Sequence, residues 1–161
     1  MVLRRHWGKV AESNTGNSSE YLDFMKQKEG FRDTAYKPID TEEHYTIGYG
    51  NYNKDVKEGD TITQEQADVQ LQANIDERLG AIRQAIPGFD DMPFEARKHL
   101  LGSWFRGSLS GSPKTISLLN AGKFEEASKE FLNNNEYKTT SLGGVKTRMN
   151  DTSNAIRSLL S

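Results

Sequence analysis

Glu29, Asp40 and Thr46 are the residues of this chain whose types and spacing could do chemistry together. Glu29 ends a helical pattern and is followed by Gly30. Asp40 lies in a polar turn, and Thr46 lies on a short Gly-bounded strand, Tyr45-Thr46-Ile47-Gly48-Tyr49-Gly50. Two carboxylates offered from different elements to one cleft are what glycoside hydrolysis requires, one as proton donor to the leaving oxygen and one to serve the opposite face. The two acids sit in opposed surroundings. At a helix C-terminus the dipole disfavours the carboxylate anion and so favours a neutral Glu29, while Phe31 and Tyr36 are large enough to desolvate it. A glutamic acid kept protonated near neutral pH suits a general acid. Asp40, within Asp40-Thr41-Glu42-Glu43, ionises easily. Thr46, on the strand face opposite Ile47, has the hydroxyl to orient a water.

The elements that must position these residues are readable from periodicity. Ser18 or Ser19 is suited to cap a helix running through Lys28, with Tyr21, Leu22, Phe24 and Met25 apolar and Gly30 in the left-handed position after it. From Phe31 to about Gly59 the pattern becomes irregular and then alternating, which predicts a small antiparallel sheet of two or three strands. Thr63-Gln64-Glu65-Gln66 has the form of a capping box. It opens a long helix whose apolar spine is Ala67, Leu71, Ile75, Leu79, Ile82 and Ile86, stopped by Pro87-Gly88. Further helices are predicted over Pro93–Phe105, with Ala96, Leu100, Leu101 and Trp104 inward, from Ser112-Pro113 through Leu119, and over Phe124–Leu132. A last one carries Val145, Met149, Thr152, Ile156 and Leu159. The fold class is therefore α+β, mostly helical, with one small sheet near the N-terminus. Residues 1–18 read as a basic and polar arm, flexible or partner-binding, ahead of a domain over 19–161.

Composition removes several classes of function. With 161 residues, a net charge of −2 and 27% charged residues, the chain is long enough for a core without disulfides and carries no global basic signal for nucleic acid. It has no cysteine, and His6, His44 and His99 are scattered, so no metal site and no cofactor are expected. Asn51-x-Asn53-x-Asp55 begins like a calcium loop, but Val56 and Ile62 stand where glycine and a bidentate glutamate belong. Gly111-Ser112-Pro113-Lys114-Thr115 lacks phosphate-loop spacing, and no Gly-x-Ser-x-Gly elbow supplies a nucleophile. Apolar runs are too short for a membrane span or a signal peptide.

Taken together, Glu29-Gly30-Phe31, Ala35-Tyr36 and Asp40-x5-Thr46-Ile47-Gly48-Tyr49-Gly50 resemble the catalytic signature of phage-type lysozymes, the muramidases and endolysins of glycoside hydrolase family 24. The resemblance runs on through Val56–Asp60 and Ile62–Ala67, and more weakly through Leu118–Gly122, Phe124–Ala127 and Gly144-x3-Arg148, covering about residues 19–160. It implies a lysozyme-like fold, a sheet lobe joined by a long helix to a larger helical lobe. It also implies hydrolysis of the β-1,4 bond between N-acetylmuramic acid and N-acetylglucosamine in bacterial peptidoglycan, with no cofactor. Carried over by position, Glu29 is the general acid, Asp40 the second carboxylate and Thr46 the holder of the attacking water. Tyr49, Tyr52, Phe105 and Thr115 are then candidate sugar contacts. The implied protein is a monomer whose partner is the glycan strand, held in the host cytoplasm until holin-type release or carried in the particle, where residues 1–17 would meet other virion proteins. Two alternatives stand beside it: a virion or tail module that keeps the fold for structure or glycan binding, and a lytic transglycosylase that needs Glu29 alone. Lys37-Pro38-Ile39 lengthens the turn before Asp40 relative to many relatives, and Asn51 stands where a histidine is common.

Overall fold

A computed structural model describes residues 18–160; the expectations about residues 1–17 lie outside the described residues. Within them the chain forms two compact units, one over Ser18–Glu77 and one from Arg78 onward. The division falls inside the longest helix.

The first unit opens with a 3-10 turn, Ser18–Tyr21, which runs directly into helix α1, Leu22–Glu29. This corrects the expected serine cap: Tyr21 occupies the cap position with no side-chain cap hydrogen bond. Tyr21 and Met25, one turn apart, are fully buried, so packing of this stripe holds a helix that has only two turns and little intrinsic stability. Three antiparallel strands follow, β1 (Arg32–Tyr36), β2 (Tyr45–Gly48) and β3 (Asn51–Asn53), in the spatial order β1-β2-β3. Arg32 pairs with Gly48 and Tyr36 with Thr46, so four steps on β1 span two on β2 across a bulge. Thr46 in turn faces Tyr52. The outer edge of β1 is covered: Ala35 N–H donates to the Asp60 carbonyl and Ile62 N–H to the Asp33 carbonyl, each at 2.9 Å. Pairing the edge this way removes a template for strand-on-strand association.

Helix α2, Gln64–Ala85, begins with the capping box as its sequence predicts. Gln66 N–H donates to Thr63 Oγ1 at 3.1 Å, and Thr63 N–H donates to Gln66 Oε1 at 3.0 Å. Its spine is buried throughout: Ala67, Leu71 and Ile75 in the first unit, Leu79 and Ile82 in the second, with Ile86 just beyond its end.

In the second unit α3 (Phe94–Arg106), α4 (Pro113–Asn120), α5 (Phe124–Leu132), the short α6 (Asn135–Thr139) and α7 (Gly143–Arg157) follow in order. Helix α7 packs against α3 and α5, and α4 packs against α5. Phe89, Leu100, Leu101, Phe124, Phe131 and Ile156 fill the space between them, each such side chain contributing about 1.5–3 kcal/mol by leaving water. Buried hydroxyls stitch the helices: Ser103 and Thr152 share a 2.6 Å hydrogen bond, and Ser153 Oγ donates to the Ser128 carbonyl at 2.9 Å. Trp104, expected inward, is only half-buried, as is Phe105, whose ring lies 4.7 Å from the Arg78 guanidinium. Helix α6 has no apolar stripe and was not foreseen; Asn134 caps it by accepting from Tyr137 N–H at 2.8 Å.

Candidate active site

The sequence's first carboxylate sits where two elements meet. Glu29 is the last residue of α1, and Gly30 takes φ 67° and ψ 148°. The expected left-handed cap is therefore replaced by an extended geometry essentially restricted to glycine, which turns the chain from helix into β1 immediately after the acid. Because Arg32 pairs with Gly48, the residues just before β1 lie beside the turn just after β2. Glu29 Oε2 comes within 3.7 Å of where a β-carbon on Gly50 would stand, and Gly50 has φ 77°. The half-buried Glu29 carboxyl thus faces bare backbone.

Asp40 belongs to the other end of the same hairpin. It lies in the connection between β1 and β2, exposed in a turn in which Glu42 N–H donates to the Ile39 carbonyl at 3.0 Å. Lys37 Nζ lies over the Tyr45 ring at 4.8 Å, and His44 N–H donates to the Tyr52 hydroxyl at 3.3 Å, contacts that fasten both ends of this loop. Thr46 is buried on β2, level with Tyr36 and Tyr52, at the Asp40 end. Two strand steps, about 7 Å at ordinary rise, separate its level from that of Gly48. Ile47 points the other way, into a recess of about 850 Å³ that it shares with Ile62, Gln66 and Val69.

The four expected sugar contacts divide. Tyr52 is about half exposed, its ring 5.2 Å from that of His44, and Phe105 offers a partly exposed ring in the second unit. Thr115 is fully buried, which corrects its assignment: it has no surface to offer a ligand. Tyr49 is likewise turned inward, only 9% exposed. Its ring lies 5.4 Å from Phe31 and its hydroxyl accepts from Gln64 Nε2.

Sequence reasoning missed the polar cluster around Tyr49. Lys26, one turn before Glu29 on α1, donates to Asp68 Oδ2 at 3.2 Å and lies 5.9 Å from the Tyr49 ring centre. Gln64 Nε2 donates to Asp68 Oδ1 at 3.0 Å as well as to Tyr49. The Gln64 amide, and after it the Lys26 ammonium, hold the Asp68 carboxyl below the usual carboxylate range. The Asp68 hydrogen bond raises Lys26 above the ordinary lysine value. The only available signal was Gln64-x3-Asp68, two polar residues on one helix face. Nothing in the sequence joins that face to Lys26, 42 residues earlier. Among the described residues no group of three or more His, Asp or Glu side chains could hold a metal ion, and no helix is long and apolar enough to cross a membrane.

Comparison with known proteins converges on one family. A family model described as phage lysozyme matches residues 26–151. The endolysin of Bacillus phage B103 is 33% identical over 112 residues, covering 69% of this chain and 42% of its own length. The endolysin of Lactococcus phage c2 is 48% identical over 68 residues, 42% of this chain and 29% of its own. The chain therefore spans less than half the length of these curated relatives. Among solved structures, the endolysin from Escherichia coli O157:H7 phage FAHEc1 superposes with a TM-score of 0.65 at 25% identity, covering 91% of this chain and 94% of that one. The muramidase domain of SpmX from Asticaccaulis excentricus reaches 0.66 at 20% identity, over 85% and 94%, a likeness of fold.

Proposed function

The chain belongs to the phage lysozyme family, and from that premise we propose that it hydrolyses the β-1,4 bond between N-acetylmuramic acid and N-acetylglucosamine in peptidoglycan. Glu29 protonates the glycosidic oxygen as it leaves. A water held by Asp40 and the Thr46 hydroxyl attacks the anomeric carbon from the opposite face, Asp40 accepting its proton. No cofactor takes part. The substrate is the glycan strand itself, and the exposed Tyr52 ring provides an apolar face of the kind a sugar stacks on.

The observation that carries this reading is the β1–β2 hairpin. Glu29 precedes β1 and faces the Gly50 turn, whereas Asp40 follows β1 in the connection to β2, toward the end of the hairpin where Tyr36 pairs with Thr46. Acids at opposite ends of a hairpin favour the wide separation, about 6.5–9.5 Å, that leaves room for a water and inverts the anomeric centre. They disfavour the closer pairing, about 5 Å, of a retaining nucleophile.

Glu29→Gln tests the acid. The variant is expected to keep the parent's circular dichroism and Tm yet release no new reducing ends from purified cell walls; clearing at the parent's rate would remove Glu29 from the chemistry. Product analysis tests the water. Hydrolysis with inversion gives reducing muramic ends that are first formed as the α anomer, and Asp40→Ala abolishes them. Anhydro ends, with Asp40→Ala still active, would mean transglycosylation by Glu29 alone.

A further inference from the structure

Tyr49 brackets the candidate acid. Its ring meets Phe31, two residues after Glu29, and Lys26, three residues before it. It is also the residue immediately before Gly50, the backbone that the Glu29 carboxyl faces. The Tyr49 hydroxyl is held through a shared amide nitrogen, Gln64 Nε2, which has two hydrogens and uses both, one to the Tyr49 hydroxyl and one to Asp68 Oδ1. Asp68 and Lys26 interact with Tyr49 as well. The other Asp68 oxygen takes the Lys26 ammonium. One carboxylate therefore determines which way the Gln64 amide points and where Lys26 rests. It links α2 both to the helix that ends in Glu29 and to the turn that Glu29 faces.

We propose that Asp68 is a positioning residue for catalysis, holding the Glu29 carboxyl in register with the Gly50 turn through Lys26, Gln64 and Tyr49. The inference rests on the reading of Glu29 as the general acid. Without the carboxylate, Lys26 loses its ion-pair partner and the Gln64 amide is free to rotate, so the Tyr49 hydroxyl is held less firmly. The Tyr49–Gly50 turn and the end of α1 then move independently. Proton transfer needs heavy atoms within about 2.6–3.2 Å, and a displacement of about 1 Å at such a site costs up to a hundredfold in rate. The candidate sugar contacts with exposed surface, Tyr52 and Phe105, lie outside this cluster, so KM is expected to hold.

The experiment measures kcat and KM on soluble glycan strands, together with Tm, for Asp68→Ala, Asp68→Asn, Tyr49→Phe and Glu77→Ala. Asp68→Ala is expected to lower kcat about tenfold to a hundredfold at constant KM. Asp68→Asn, which keeps an acceptor for Gln64 but loses the ion pair, should fall between it and the parent. Tyr49→Phe, which keeps the ring and removes only the anchored hydroxyl, should lower kcat in the same way, and serves if Asp68→Ala does not fold. Glu77→Ala, an exposed carboxylate on the same helix away from this cluster, should match the parent. A parental kcat in folded Asp68→Ala and Tyr49→Phe would overturn the proposal, as would a raised KM with kcat intact. If Glu29→Gln remained active, the reading beneath would fail instead; an inactive Glu29→Gln beside fully active Asp68 variants would refute this inference alone.

Discussion

Gly50 and Gly59 form a matched pair for testing where the acid points. Both have positive φ, 77° and 88°, so an alanine at either carries the same left-handed backbone strain, about 1–2 kcal/mol. For a chain of this length that lowers Tm by roughly 2–8 °C. The pair differs in what the new methyl meets. At Gly59 nothing lies within 4 Å; at Gly50 the methyl stands 3.7 Å from Glu29 Oε2, an ordinary van der Waals distance that adds no clash. It does cover a carboxyl oxygen that a sugar oxygen must approach to about 3 Å. Gly50→Ala and Gly59→Ala should therefore melt alike, while Gly50→Ala alone loses about tenfold to a hundredfold in turnover per folded molecule. The assay is clearing of a cell-wall suspension at protein concentrations normalised by the folded fraction at the assay temperature. Equal activity losses in the two variants, or a fully active Gly50→Ala, would refute the placement of the Glu29 carboxyl against the Gly50 turn.

Other perturbations test the scaffold. Thr63→Ala removes the hydroxyl half of the capping box and should cost about 1 kcal/mol, a fall of about 2–4 °C in Tm; an unchanged Tm would mean that the box contributes nothing. Ile82→Ala empties a fully buried position on α2 and should cost about 2–5 kcal/mol, read from urea midpoints at constant slope. The Lys26–Asp68 pair gives a pH signature. Asp68 is held low, so its contribution is present above the ordinary aspartate value of 3.8 and is lost as pH falls through its folded value. Lys26 is held high, so its contribution is present below 10.5 and is lost as pH rises through its folded value. Asp68→Asn should flatten the acid-side fall of Tm between pH 5 and pH 2, and parallel curves would count against the pairing.

Legibility in the sequence followed the range of the physics. The capping box and the Ala67 to Ile86 spine are local patterns, three or four residues in period, and both stand in the structure as written. The phage lysozyme resemblance, too, rests on contiguous motifs. The 3-10 start at Ser18–Tyr21 was misread because two serines before an apolar stripe look like α-helix caps, whereas here both lie in the 3-10 turn and Tyr21 takes the cap position. Tyr49 was misread because strand alternation says that a residue has a face but not what covers it, and here Gln64, Phe31 and Lys26 do. Thr115 failed for the same reason: its hydroxyl suits a sugar, but the packing around α4 buries it. Glu29 and Gly50 were both conspicuous; their meeting depends on the register of β1 against β2 and on the bulge between them, which no local pattern encodes.

The ties from α1 and the turn before it to α2 also set an order of events during synthesis. Ser18 accepts from Gln72 at 2.8 Å and Lys26 reaches Asp68, across 54 and 42 residues. Each closure carries a chain-entropy cost that grows with the logarithm of the loop. On the ribosome, α1 and the hairpin emerge with every candidate catalytic side chain of the sheet unit already present, yet the unit cannot close until the first three turns of α2 have followed. The acid is translated early and set in place late, so the nascent hairpin passes through a stage with the reactive residues made and their geometry still unbuilt.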